Sequence, residues 1–306
     1  MTVYERQSFS GERALFASRG VSVCGCVFED GESPLKESSD VRLKDSEFRW
    51  KYPLWYCDGV FAEDCVLTAT ARAGIWYSSN VTLLNTVIHA PKTFRRCDGL
   101  RLENVTLTNA EETLWSCRNA KLKNVRLKGH YFAMNCENIE VDGIDLDGNY
   151  AFDGARNVTV KNSKLLTKDA FWNCENVTVC DSFISGEYLG WNSKGLTFVN
   201  CEIESLQGMC YIDGLRLIDC RLVNTTLAFE YCSLEAHITS KVDSILNPGS
   251  GTITAPEIGE LIIEKDRVDP SKTVIFCDVI DKRSDRPFWI KQERGRQEDR
   301  AFQQII

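Results

Sequence analysis

Apolar residues return along this chain in pairs two positions apart, and the pairs recur every 19 to 21 residues. The first member of each pair is Val21, Val41, Val60, Val81, Leu100, Ala120, Ile139, Val158, Val177, Leu196, Leu215 and Leu234. Apolar side chains on alternate positions mark a strand with one face turned inward. A residue type that tolerates left-handed backbone stands four positions later, as at Asn85, Asn104, Asn124, Gly143, Asn162 and Asp181. Another stands just before each strand, as at Gly59, Asn80, Gly99, Asn119, Asn138, Asn157 and Asn176. Asn, Asp and Gly suit such bends because they reach left-handed backbone cheaply or brace it with a short polar side chain.

One strand, a bend, a second apolar run and another bend every 19–20 residues describe one coil of a solenoid. The period is too short for helical-hairpin repeats, and the leucine-rich consensus is absent. The predicted fold is all-β: a single-stranded, right-handed parallel β-helix of about eleven rungs, with N- and C-terminal caps. The hand follows from the near-universal hand of parallel crossovers. The expected divisions are an N-terminal cap over residues 1–20, the β-helix over 21–234, cap strands over 235–280 and a tail over 281–306. In the first of these, Ser10–Phe16 reads as a short capped helix or turn over the first rung.

Three more columns run through the repeat. Three residues before each strand stand Cys57, Ser78, Cys97, Cys117, Cys136, Ala155, Cys174 and Ser193. Small residues that interchange are expected in a stacked, buried position. A metal site is not expected there, because a ladder points every sulfur the same way and zinc needs ligands that converge. Five residues before the strand stand Trp55, Trp76, Arg95, Trp115, Met134, Asp153, Trp172 and Trp191; six before stand Leu54, Ile75, Phe94, Leu114, Ala133, Phe152, Phe171 and Gly190. Neighbours on a strand cannot both face inward. If the residue between Trp and Cys (Asn135, Gly154, Asn173, Asn192) is left-handed, the Leu/Phe and Cys columns point in and the Trp column points out. Otherwise the tryptophans are core and their apolar neighbours form an outer wall.

An outward row of aromatic rings suits sugars, which have an apolar face and polar edges. Around the interruption at Met134 and Asp153 lie the side chains with chemistry. Asp169, Glu187 and Asp153 are candidates for acid, base or nucleophile at a glycosidic bond, where the paired carboxyls stand about 5 to 9.5 Å apart. Lys168 and His130 would tune their charge. Arg95 and Arg96 would hold an acidic sugar, and Trp115, Trp172, Trp191, Asn173 and Tyr188 would supply subsites. The competing reading is a non-enzymatic scaffold that offers the same aromatic face to a protein partner or to a second copy.

Composition narrows the setting. A chain of 306 residues with 43% hydrophobic and 26% charged residues is an ordered one. A net charge of −8 argues against nucleic acid and anionic membrane surfaces as partners. With no eighteen-residue apolar run and no basic-then-apolar start, no membrane association is expected and the expected location is cytoplasmic, where the 14 cysteines stay free thiols. No cofactor and no metal are expected; an oligosaccharide or a homo-oligomer is the expected partnership.

The nineteen-residue coil resembles the pectin-lyase-like right-handed β-helix superfamily of polysaccharide lyases and glycoside hydrolases. The phrases Asp30–Ser38 (DGESPLKES), Lys51–Tyr56 (KYPLWY), Lys168–Asn173 (KDAFWN), Gly186–Ser193 (GEYLGWNS) and Ala228–Tyr231 (AFEY) are similar to an uncharacterised bacterial family, a domain of unknown function. The resemblance runs from about Phe9 to about Gly251 and implies the fold and a cytoplasmic bacterial setting. The chain lacks the paired aspartates of polygalacturonases and the aspartate cluster that binds calcium in lyases, so the resemblance implies no particular reaction.

Overall fold

The inward pairs lie in register from coil to coil. Val41 is flanked in parallel by Val21 and Val60, Leu100 by Val81 and Ala120, and Val158 by Ile139 and Val177. In the computed structural model, which describes residues 1–285, this stacking builds an all-β parallel solenoid of about 15 turns. The one helical piece among the described residues is the 3-10 turn Pro270–Lys272.

A central coil carries a long strand such as Glu175–Cys180, a bend at left-handed Asp181, and a second strand, Phe183–Glu187. The bends are tied by amide ladders. Asn138 donates to Asn119 at 3.0 Å, Asn157 to Asn138 at 3.1 Å, and Asn176 to Asn157 at 2.8 Å. An amide both donates and accepts, so each passes the bond to the next coil.

The third wall is a regular strand only near the front, where Ile75–Trp76 pairs with Phe94–Arg95. Further along, alternate residues are left-handed: Asp169, Phe171 and Asn173 have φ of 56°, 60° and 53°. Their N–H groups alternate in direction. Phe171 reaches back to the Ala151 carbonyl, while Asp169 and Asn173 reach forward to Glu187 and Trp191, each at 2.9 Å. Left-handed backbone costs roughly 1–2 kcal/mol per non-glycine residue. Hydrogen bonds to both neighbouring coils and full burial of the Phe171 ring offset that cost. The expected left-handed residue before each cysteine is present, with φ of 52°, 69°, 53° and 59° at Asn135, Gly154, Asn173 and Asn192. The Leu/Phe column therefore points in, and Phe152 stacks on Phe171 with centroids 5.4 Å apart.

The cysteine column is buried and does more than fill space. The Cys174 thiol donates to the Phe152 carbonyl at 2.8 Å, and the Ser78 hydroxyl to the Leu54 carbonyl at 2.7 Å. Ser78, Cys117 and Ser193 also accept a backbone N–H from the preceding coil, that of Cys57 at 3.0 Å, Cys97 at 3.4 Å and Cys174 at 3.0 Å. Cys and Ser interchange because both donate and accept from the same β carbon. All 14 cysteines are free.

Both ends differ from expectation, and the turn count exceeds eleven for that reason. At the front the segment Ser10–Phe16 takes the turn alternative, with no helix. Thr2–Glu5 and Ser8–Phe9 pair in parallel with Arg19–Cys24 and Val27–Phe28, so residues 1–20 form a coil of the solenoid. Phe9 begins the inner stack, 5.0 Å from Phe28, which lies 4.6 Å from Phe48. At the back, Leu234 pairs with Gly251 and Gly251 with Thr273, so residues 235–280 continue the parallel ladder. Coil length changes there to 17 (251 − 234) and 22 (273 − 251), which hides these coils from a search at nineteen. The last strand runs to Ser284, into the expected tail; residues 286–306 lie outside the described residues.

Candidate functional site

With Leu54, Ile75, Phe94, Leu114, Phe152 and Phe171 buried, the adjoining tryptophans sit on the outside of the third wall, each half-buried. They cover one another. Trp55 stacks on Trp76 at 5.1 Å and 6°, and the Arg95 guanidinium lies between Trp76 and Trp115, 4.6 and 4.8 Å from their centroids. Rings at rung spacing leave no room for a sugar between them. Arg95 also pairs with Glu112 at 3.3 Å, which in turn pairs with Lys92 at 2.9 Å. Arg96 lies over Tyr77 at 5.9 Å. The two arginines are thus committed to the front part of the aromatic wall, with Trp115.

A second run of rings follows. Tyr131 stacks on Tyr150 at 5.0 Å and 7°. Trp172, Trp191, Tyr211 and Tyr231 then succeed one another at 6.0, 4.3 and 5.2 Å. Between the two groups the stacking breaks: Tyr150 meets Trp172 edge-on, at 6.1 Å and 89°. The charged residues collect at this break.

Asp169, half-buried, lies beside the Tyr150 side chain. Burial pushes its carboxyl above the ordinary aspartate range and the Glu187 charge adds to this; the Tyr150 side chain and the Lys168 charge pull the other way. Lys168 pairs with Glu187 at 2.9 Å, and that bond raises the lysine further. Beside the pair a groove of about 380 Å³ is lined by Asn149, Lys168, Glu187, Glu204, Leu206 and Asn224. Glu204 accepts from the Ser185 hydroxyl at 3.2 Å and from the Asn224 amide at 2.9 Å. Tyr188 presents its carbonyl to Trp172 and sets its ring against Trp191 at 6.2 Å.

The other candidates stand apart from the groove. His130 accepts the Asn149 backbone N–H on Nδ1 at 2.9 Å, so its ring proton is on Nε2. Its own N–H donates to Glu111 at 3.0 Å, and Asn149 in turn caps the Lys168 N–H at 3.2 Å. His130 is thus one cap in a row that bridges successive coils. Asp153 accepts from Asn173 at 2.9 Å and Asn173 accepts from Asn192 at 2.9 Å, an amide ladder beyond Trp172. The structure therefore gathers Lys168, Asp169, Glu187 and Tyr188, and separates them from Arg95, Arg96 and Trp115. It adds Asn149, Tyr150, Glu204, Leu206 and Asn224, which the sequence reading did not select. Tyr150 was findable, since it stands one repeat before Asp169 in the same column. Among the described residues no three His, Cys, Asp or Glu side chains converge as metal ligands, and no helix is long and apolar enough to cross a membrane.

Fold and wall together define a parallel β-helix protein. The chain belongs to the family described as Protein of unknown function (DUF3737), whose model matches residues 2–276. No curated protein matches the chain. Among solved structures it is similar to the A-module of the mannuronan C-5 epimerase AlgE4 of Azotobacter vinelandii, at 9% identity and a TM-score of 0.29, covering 92% of this chain and 87% of that one. It is also similar to PfbA, a surface adhesin of Streptococcus pneumoniae, at 9% identity and a TM-score of 0.31, covering 90% and 70%. A third is QnrB1, a plasmid-mediated fluoroquinolone resistance protein, at 12% identity and a TM-score of 0.17, covering 67% and 83%. None of the three likenesses carries a function.

Proposed function

We propose that this protein is carbohydrate-active, and that it holds a sugar in the groove beside Lys168, Asp169 and Glu187. One observation carries the reading: the aromatic wall breaks at Tyr150 and Trp172, at the same place where an acid with a raised pKa meets an ion-paired carboxylate. A half-buried carboxyl beside an ion-paired one gives two carboxyls in unlike surroundings, the arrangement of an acid–base pair. Asp169, half-buried and beside Tyr150, is the group suited to keep a proton and give it to a leaving oxygen. Glu187, ion-paired with Lys168 at 2.9 Å, is the group suited to draw a proton or to steady positive charge at a sugar carbon.

A hydrolysis and binding screen over neutral, acidic and amino oligosaccharides tests this. Turnover or binding that falls roughly a hundredfold or more in Asp169→Asn and Glu187→Gln is the expected result. Activity indifferent to both substitutions would place the site elsewhere.

A second reading is a non-enzymatic scaffold, favoured by the fact that Lys168, Glu187, Asp153, Asn173 and His130 all bridge neighbouring coils. It requires no turnover on any sugar and a dimer in light scattering that Trp172→Ala separates.

A further inference from the structure

Within that carbohydrate reading, on which this step rests, we propose that the groove selects a sugar carrying an ammonium group, an amino sugar, over neutral sugars and uronic acids. The observation is the state of Glu204. Both of its oxygens are oriented by neutral donors, Ser185 on one and Asn224 on the other, and no cation pairs with it among the described residues. Lys168 does not serve, being paired with Glu187 at 2.9 Å. Arg221, one coil on from Glu202, is taken by Glu202 at 2.6 Å. The charged groups lining the groove are therefore one lysine and two glutamates, a net of −1 (1 − 2), in a chain whose own net charge is −8.

The cations that would hold a carboxylate sugar are elsewhere. Arg95 and Arg96 precede the strand at Leu100, four coils before the one at Val177, or about 19 Å away at the usual strand spacing. Arg95 is enclosed by Trp76, Trp115 and Glu112. A uronate in the groove would face Glu187 and Glu204 with no free counter-charge. An ammonium meets Glu204 in a charge-assisted hydrogen bond, the strong kind, and can reach the Asn149 and Asn224 amides with neighbouring hydroxyls. Leu206, 52% exposed on the groove wall, gives the apolar face of the ring a surface to lie on.

The test is calorimetric titration of the full chain with four probes: a glucosamine tetramer, an N-acetylglucosamine tetramer, tetragalacturonate and tetralysine. The glucosamine tetramer is expected to bind at least about tenfold tighter than the N-acetylated one, with no measurable uronate binding. Its affinity should fall as salt is raised, as a charge pairing requires. Glu204→Gln should lose about tenfold on the glucosamine tetramer alone. Should that variant not fold, the salt dependence and the ranking of the three sugars decide the matter in the wild type. Preference for the uronate or the N-acetylated tetramer overturns the ammonium selection and leaves the carbohydrate reading standing. Equal binding of tetralysine overturns it too, by making the groove a general cation patch. If no sugar binds at all, the carbohydrate reading itself falls.

Discussion

The indole N–H of Trp172 donates to the backbone carbonyl of Tyr188 across 2.6 Å, joining two side-chain columns of successive coils. Trp76 does the same to the Lys92 carbonyl at 2.7 Å. A tryptophan on the outer wall is therefore a strap: its ring covers the Leu/Phe column beneath and its nitrogen holds the next loop. That loop carries Glu187 and Tyr188, so the strap also sets the far side of the groove.

Trp172→Phe keeps an aromatic ring and loses the strap. The expected cost is about 1 kcal/mol, the net value of one hydrogen bond, while Trp172→Ala costs about 3 kcal/mol. Urea midpoints at constant m-value measure both. Equal midpoints for wild type and Trp172→Phe would remove the strap's energetic role.

Asp169 makes stability depend on pH with a definite sign. Burial raises its native pKa, so the folded chain holds this proton to higher pH than the unfolded chain, whose aspartates titrate near about 3.9. The folded state binds more protons in the window just above that value, and stability falls as pH rises through it. Asp169→Asn is expected to remove that fall and to gain, at pH 7, on the order of a few tenths of a kcal/mol, small because the group is still partly solvated. At pH 3 the gain should vanish. Thermal melts across this range check the sign.

Asn247, fully buried, donates to the Glu264 carboxylate at 2.6 Å and accepts the Glu264 backbone N–H at 2.8 Å. Glu264 is itself 5% exposed, with Arg267 at 3.4 Å as its one ion-pair partner among the described residues. Asn247→Ala removes the amide donor to the buried Glu264 carboxylate and the acceptor of the Glu264 backbone N–H together, leaving the carboxylate only Arg267. A loss of about 3 kcal/mol is expected, read as a lowered urea midpoint. A shift below about 0.5 kcal/mol would mean that water takes the amide's place.

Thiol reactivity follows the columns. Of the 14 cysteines, only Cys24, Cys180 and Cys277 are half-buried and the rest are buried. Burial pushes the Cys57 and Cys174 thiols up to about 12, leaving almost no thiolate at neutral pH. A disulfide reagent added to native protein should modify these three at most, and all 14 in denaturant. Rapid native reaction of Cys174 would contradict the wall as described.

The sequence by itself determined the coil. The inward pairs from Val21 to Leu234, the asparagine bends and the cysteine column are stated once per repeat, and each element's partner is the same element one coil away. Stacking of like on like makes that part legible without tertiary knowledge. The left-handed residue before Cys174 stayed one of two alternatives in the sequence, and the backbone decided it, with φ of 53° at Asn173. Only the tertiary structure decided three other things. It decided the ends, because coils of 17 and 22 residues break the period while keeping the ladder. It decided that Trp172 and Arg95 spend their faces on neighbouring rings, since ring orientation depends on the left-handed path of the third wall. And it decided which charges meet. Lys168, Asp169 and Glu187 occupy loop positions whose residue types differ from coil to coil, so their grouping with Glu204 and Tyr150 comes from the stacking of coils and from no repeated signal.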